Sequence, residues 1–211
     1  MSQICHELHS LISHQPTLRF PFAESSIPPS GIYILFEEGE LGHGAGRIVR
    51  VGTHRGDGQL RSRLREHFVN ANKDRSIFRK NIGGAILNKN QDPFLEQWDL
   101  DLTTRKNREK YQDRIDFDKQ RQVEKRVTEY IQSHFSLVVF QVDEKQRRLD
   151  LESKIISTVA WCEECFPSNA WLGLHSPKEK IRQSGLWNVN ELYKQPLSET
   201  DFEELKGLLQ P

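Results

Sequence analysis

Two runs rich in β-branched residues, Gly31 to Phe36 and Arg47 to Gly52, flank a glycine-rich connection at Gly39 to Gly46. Strand side chains alternate between two faces, so Ile32, Ile34 and Phe36 fall on one side and Tyr33 and Leu35 on the other. The glycines between the runs supply the backbone freedom that a reversal needs. An antiparallel hairpin is the expected result, and any fold for this chain has to be built around it.

The remaining segments read as elements that could cover such a hairpin. Ile4, Leu8, Leu11 and Ile12 recur at helical spacing, and Pro28 and Pro29 close an N-terminal helix-and-linker segment over residues 1–28. Leu60, Leu64 and Phe68 form an apolar stripe flanked by Arg61, Arg63, Arg65 and His67, as in an amphipathic helix with a basic edge. A second helix is expected over Ser76 to Leu87, a third strand over Ser136 to Val142, a helix from Arg147 to about Cys165, and a last one near Asp201 to Leu209. The basic-rich stretch holding Arg105, Lys106, Arg108, Lys110, Arg114, Arg121, Lys125 and Arg126 reads as a solvated helical insertion at about residues 88–134. The expected class is α/β (α+β), a small three-stranded antiparallel sheet flanked by helices, in one main domain over residues 29–211.

Composition limits the function classes. The chain has 211 residues, 36% hydrophobic and 28% charged, with a formal net charge of zero. A protein that coats nucleic acid without selection carries a basic excess, so any nucleic-acid site here must be a local patch. No leader with a basic start and apolar stretch is visible and no window approaches a membrane span, which places the chain in the cytoplasm. Three cysteines cannot form a disulfide framework and read as free thiols. Cys162-Glu-Glu-Cys165 has the spacing of half a structural zinc site; Cys5, His6 and His9 could complete it only if the N-terminal helix packs nearby.

Four side chains stand out chemically. Glu152 projects in the same direction as Ile155, Ile156 and Val159, so the face that should dock on the sheet carries an acid. It is either a first-turn residue favoured by the helix dipole, with Asp150 as N-cap, or a metal ligand. Arg63 and His67 stack four residues apart on one edge of the Leu60, Leu64 and Phe68 stripe, where they rim the core; Arg61 and Arg65 suit a solvent-facing role. Tyr33 faces away from Ile32 and Ile34, where packing and catalysis are both open to it.

In their order along the chain these residues resemble the GIY-YIG endonuclease superfamily, in particular its restriction-enzyme members. Gly31-Ile32-Tyr33 matches the first half-motif and Arg50-Val51-Gly52 occupies the place of the second. Arg63 falls on the family's catalytic arginine, His67 on a supporting position, Glu152 on the metal-binding glutamate, and Asn169 on an asparagine that closes the site. Arg50 stands where most members have a second tyrosine, a departure shared with some restriction enzymes.

The resemblance implies hydrolysis of a DNA phosphodiester with Mg²⁺ or Mn²⁺ held by Glu152. It implies that Tyr33 helps deprotonate the attacking water; a free phenol titrates near 10, and the Arg50 guanidinium would favour the phenolate. Arg63 would contact the scissile phosphate and His67 would orient it or shuttle a proton. Double-stranded DNA is the implied partner, with phosphate contacts from the charged insertion and from Arg79 and Lys80. A restriction role further implies a cognate DNA methyltransferase and is compatible with a homodimer. The alternatives are a structure-specific or repair nuclease, and a nucleic-acid-binding protein that keeps the fold without the chemistry. Ser184 to Asn188 would buttress the site, with Trp187 as core packing.

Overall fold

In the computed structural model, which describes residues 2–209, the hairpin is the centre of the molecule. Its strands β2 (Gly31–Gly42) and β3 (Ala45–Gly52) follow α1 (Ser2–Ser13) and a two-residue strand β1 (Leu18–Arg19). Then come α2 (Leu60–Phe68), α3 (Ile77–Lys89), α4 (Leu95–Trp98), α5 (Arg105–Tyr111) and α6 (Phe117–His134). The chain closes with β4 (Phe135–Gln141), α7 (Lys145–Ala160), α8 (Glu179–Ser184) and α9 (Glu199–Leu209). Among these residues no helix is long and apolar enough to cross a membrane.

The connection at Gly39 to Gly46 is mostly strand. Pairing continues to Gly42 opposite Ala45, leaving His43 and Gly44 as a two-residue turn with φ of 52° and 78°. Two successive left-handed residues are what a right-twisting hairpin requires. Lower in the ladder, Leu35 pairs with Arg50 and Phe36 with Ile48, so a bulge falls at Val49. The bulge lets Val49 join the core that lies on the Tyr33 side while Ile48 and Val51 face the other.

The sheet has four strands in the order β1-β4-β2-β3, all antiparallel, where three were expected. The extra strand lies in the segment read as linker. Two residues are too few to show an alternation, but Leu18 and Arg19 cover the outer edge of β4 at Leu137 and Ser136, which would otherwise offer unpaired backbone groups.

Helices pack on both faces. Tyr33, Leu35, Val49 and Leu137 share a core with residues of α2, α3 and α6. Ile32, Ile34, Val51, Val138 and Phe140 share the other with α1, α7 and α9. The expected solvated insertion divides accordingly: α5 buries nothing, whereas α6 seats Val123, Val127 and Ile131 in the first core. Trp98 is buried as well, against Gly83, where a β-carbon would stand 2.3 Å from the indole. The net basic count of this stretch concealed a helical apolar stripe within it.

Candidate functional site

A cleft of about 750 Å³ opens beside the last residues of β3, between α2, α7 and the segment at Asn188 to Glu191. Arg50 comes from β3, Arg63 from α2 and Glu152 from α7, and all three line it. α7 begins at Lys145 with Glu144 as its N-cap, so Glu152 sits two turns in and the first-turn explanation of this acid falls away. The carboxyl is pushed up to about 7 by burial, against the opposing pull of Arg50, the Thr53 backbone and Arg63. Among the described residues it forms no direct ion pair. It is a half-buried acid that shares the cleft with the guanidinium groups of Arg50 and Arg63.

Arg55 and Arg75 also line the cleft, so four arginines face Glu66, Glu152 and Glu191. Glu191 is held by Ser153 and Lys194. A chain of zero net charge thereby presents one locally cationic concavity, suited to an anionic ligand.

Tyr33 and His67 lie beneath this cleft, both fully buried. The Tyr33 hydroxyl is 2.8 Å from His67 Nε2, and Arg50 Nε donates to it over 3.4 Å. It packs so closely on Gly52 that a β-carbon there would be 2.2 Å from the oxygen. His67 Nδ1 is 2.7 Å from the Ser76 hydroxyl, which caps α3 by accepting from the Arg79 backbone N–H. Burial, reinforced by Arg63, Arg50 and Arg79, holds the His67 imidazole well below its ordinary range, so the ring is neutral. It lies behind Tyr33, fully buried and with no surface on the cleft, where it was expected to meet the phosphate.

Arg50 is fixed twice more: Nη1 donates to the Trp187 carbonyl over 3.1 Å and the guanidinium lies over the Phe78 ring. Asn169 is exposed and lies outside the cleft. Two other asparagines, Asn188 and Asn190, line the cleft, and Asn188 accepts from Val51 N–H at 3.1 Å and donates to Val51 C=O at 2.9 Å. With the Trp187 N–H on the Val49 carbonyl, residues 187–188 cover the free edge of β3, as expected of a buttressing segment. Trp187 is core, and together with Trp171 it donates to the buried Glu37 carboxyl.

Two expectations about DNA contacts change. Arg79 has no exposed surface and is spent on Glu124 and the His67 carbonyl, and Lys80 is tied to Asp99. Residues not singled out from the sequence appear instead. His54 lines the cleft with Nε2 accepting from Gly31 N–H and Nδ1 on the Gly56 carbonyl; burial lowers its pKa. A lone histidine in a loop carries no periodicity, so only its contact with the start of β2 reveals it.

No curated protein and no solved structure matches the chain. A family model for the GIY-YIG domain matches residues 2–209, from α1 to the last described helix. The hairpin, the cleft and every residue placed in it lie inside that span, and the chain belongs to the GIY-YIG domain family, a family of nucleases.

Proposed function

We propose that the chain is a divalent-metal-dependent DNA endonuclease of restriction type. The reading is carried by one arrangement: Arg50, Arg63 and Glu152 converge on a cleft directly over the Tyr33–His67 hydrogen bond. The donor set suits a hard cation, because the free ligand on offer is a carboxylate and both nitrogens of His54 are already engaged. Glu152 would hold Mg²⁺ or Mn²⁺, whose charge would stabilise the leaving 3′ oxygen.

The chain's own residues divide the remaining work. Arg63 presents planar donors to the scissile phosphate, matching the charge that grows on its oxygens. With His67 neutral, one consistent hydrogen-bond order runs from the Arg79 N–H to Ser76, from the Ser76 hydroxyl to His67 Nδ1, and from His67 Nε2–H to the Tyr33 oxygen. Arg50 Nε–H then supplies a second donor to the same oxygen. Two N–H donors stabilise negative charge on Tyr33, which lets it accept a proton from the attacking water. Arg50 thus does the service that a second tyrosine gives elsewhere in the family.

The burial of Tyr33 also favours a second reading, a DNA-binding protein that does not cut. Plasmid DNA incubated with the protein and Mg²⁺ or Mn²⁺ separates the two. Discrete bands that vanish in Glu152→Ala and Tyr33→Phe support restriction-type cleavage. Nicking or smearing indicates a structure-specific nuclease, and intact plasmid with either metal, together with retained DNA binding, supports the second reading.

A further inference from the structure

On the sheet face opposite the Tyr33 core, three thiols and two imidazoles meet at the hairpin tip. Cys5 and His9 come from one face of α1, His43 from the turn, and Cys162 and Cys165 from the loop that ends α7. The ligand atoms of Cys5, His9, His43 and Cys165 all lie within 4.8 Å of one another. His43 Nε2 is 3.2 Å from Cys162 Sγ, Cys165 Sγ is 3.5 Å from His9 Nε2, and Cys5 Sγ is 3.6 Å from His9 Nδ1. Around tetrahedral zinc, with sulfur at about 2.3 Å and nitrogen at about 2.0 Å, neighbouring ligand atoms stand roughly 3.3 to 3.8 Å apart. The His43–Cys162 spacing falls beside that range, and Cys5, His43 and Cys165, within 4.8 Å of one another, stand close enough to draw in around an ion.

We infer that Cys5, His43, Cys162 and Cys165 bind a structural zinc ion that ties α1 and the end of α7 to the hairpin tip. Five donors compete for four places, and His9 is the one already occupied. Its Nδ1 is 2.9 Å from the Cys5 carbonyl and its Nε2 accepts from Ile48 N–H at 3.2 Å. His43 Nε2 faces Cys162, while the Glu164 carboxylate stands 3.9 Å from its Nδ1, the side from which a carboxylate orients a ligating histidine. The thiols are 0%, 6% and 4% exposed at Cys5, Cys162 and Cys165, so the ion would be enclosed as structural zinc is. Gly42 makes room for it: a β-carbon there would come within 3.0 Å of Cys165 Sγ. Packing alone accounts for a buried cysteine, but not for three of them converging with two imidazoles from three separate elements. On binding, each thiol gives up its proton to solvent, leaving three thiolates and a neutral imidazole on the ion.

The inference is independent of the nuclease reading, and its test keeps them apart. The full chain, purified without chelator, is expected to carry about one zinc per chain by elemental analysis. Glu152→Ala and His9→Ala should retain it, and Cys5→Ser, His43→Ala, Cys162→Ser and Cys165→Ser should each lose most of it. Cobalt added to metal-stripped protein should give the thiolate-to-cobalt charge-transfer absorption and visible bands of a tetrahedral site, which do not require the variants to fold. Absence of both zinc and the cobalt spectrum, or a disulfide among these cysteines in freshly reduced protein, would overturn the site. Retention of zinc by Cys162→Ser with its loss from His9→Ala would overturn the ligand set.

Discussion

At the scale of single residues, Arg63 offers the sharpest separation of chemistry from stability. It rims the cleft and its one side-chain hydrogen bond, from Nη1 to the Arg75 carbonyl, is exposed. Arg63→Ala should therefore lower kcat/KM for DNA cleavage by about 10²- to 10³-fold, the cost of removing one transition-state donor. Its unfolding free energy should stay within ~0.5 kcal/mol of the parent, as for other surface changes. Arg63→Lys should recover little of the rate, because an ammonium cannot reproduce the planar fork. Parallel steady-state kinetics and denaturant melts check this; a melt that falls in step with the rate would make Arg63 structural. Helical spacing placed Arg63 and His67 on the same edge of α2, yet the depth of each side chain sends one to the cleft and the other beneath it.

At the scale of elements, the middle of β2, α6 and the tryptophans of the segment after α7 meet on Glu37. Burial raises its pKa, while hydrogen bonds from Tyr130, Trp187 and Trp171 hold it down. An acid whose folded pKa is raised stabilises the fold below its unfolded value near 4.5 and loses that contribution as pH rises through the folded value. Glu37→Gln keeps an acceptor for the two indoles and can donate to Tyr130, so its melting temperature relative to the parent should climb between about pH 4.5 and pH 8. Glu37→Ala leaves three buried donors unpaired and should destabilise at every pH, by about 1–3 kcal/mol for each orphaned group. Thermal melts across that range test both, and a Glu37→Gln difference independent of pH would refute the assignment. The strand that carries Glu37 was legible in its alternation, but its partners come from α6 and the C-terminal segment, far along the chain.

At the scale of the whole molecule, folding buries histidines that the unfolded chain would protonate, one beneath the cleft and one in the loop that lines it. Burial lowers the pKa of both His67 and His54 from the ordinary 6.5. A base with a depressed folded pKa contributes stability that is present above 6.5 and is lost as pH falls through the window down to its folded value. The protein should therefore lose stability on acidification below about pH 6.5, with His67 contributing a slope of up to ~1.4 kcal/mol per pH unit. His67→Gln should flatten that slope in urea melts between pH 5 and 7, and an unchanged slope would show that His67 is not its source.

The sequence by itself determined the hairpin, the principal helices, the order of Tyr33, Arg50, Arg63 and Glu152, and the family. Each is a local pattern, a period of two or of 3.6 residues or a motif, and local patterns are written in neighbouring residues. Only the tertiary structure decided that Asn188 occupies the cleft in place of Asn169, that Arg79 is bound to Glu124, that α6 is core, and that Cys165 meets Cys5 and His43 with Cys162 beside His43. Those outcomes depend on which segments the sheet brings together across tens of residues, and on how deeply each side chain is buried once they meet.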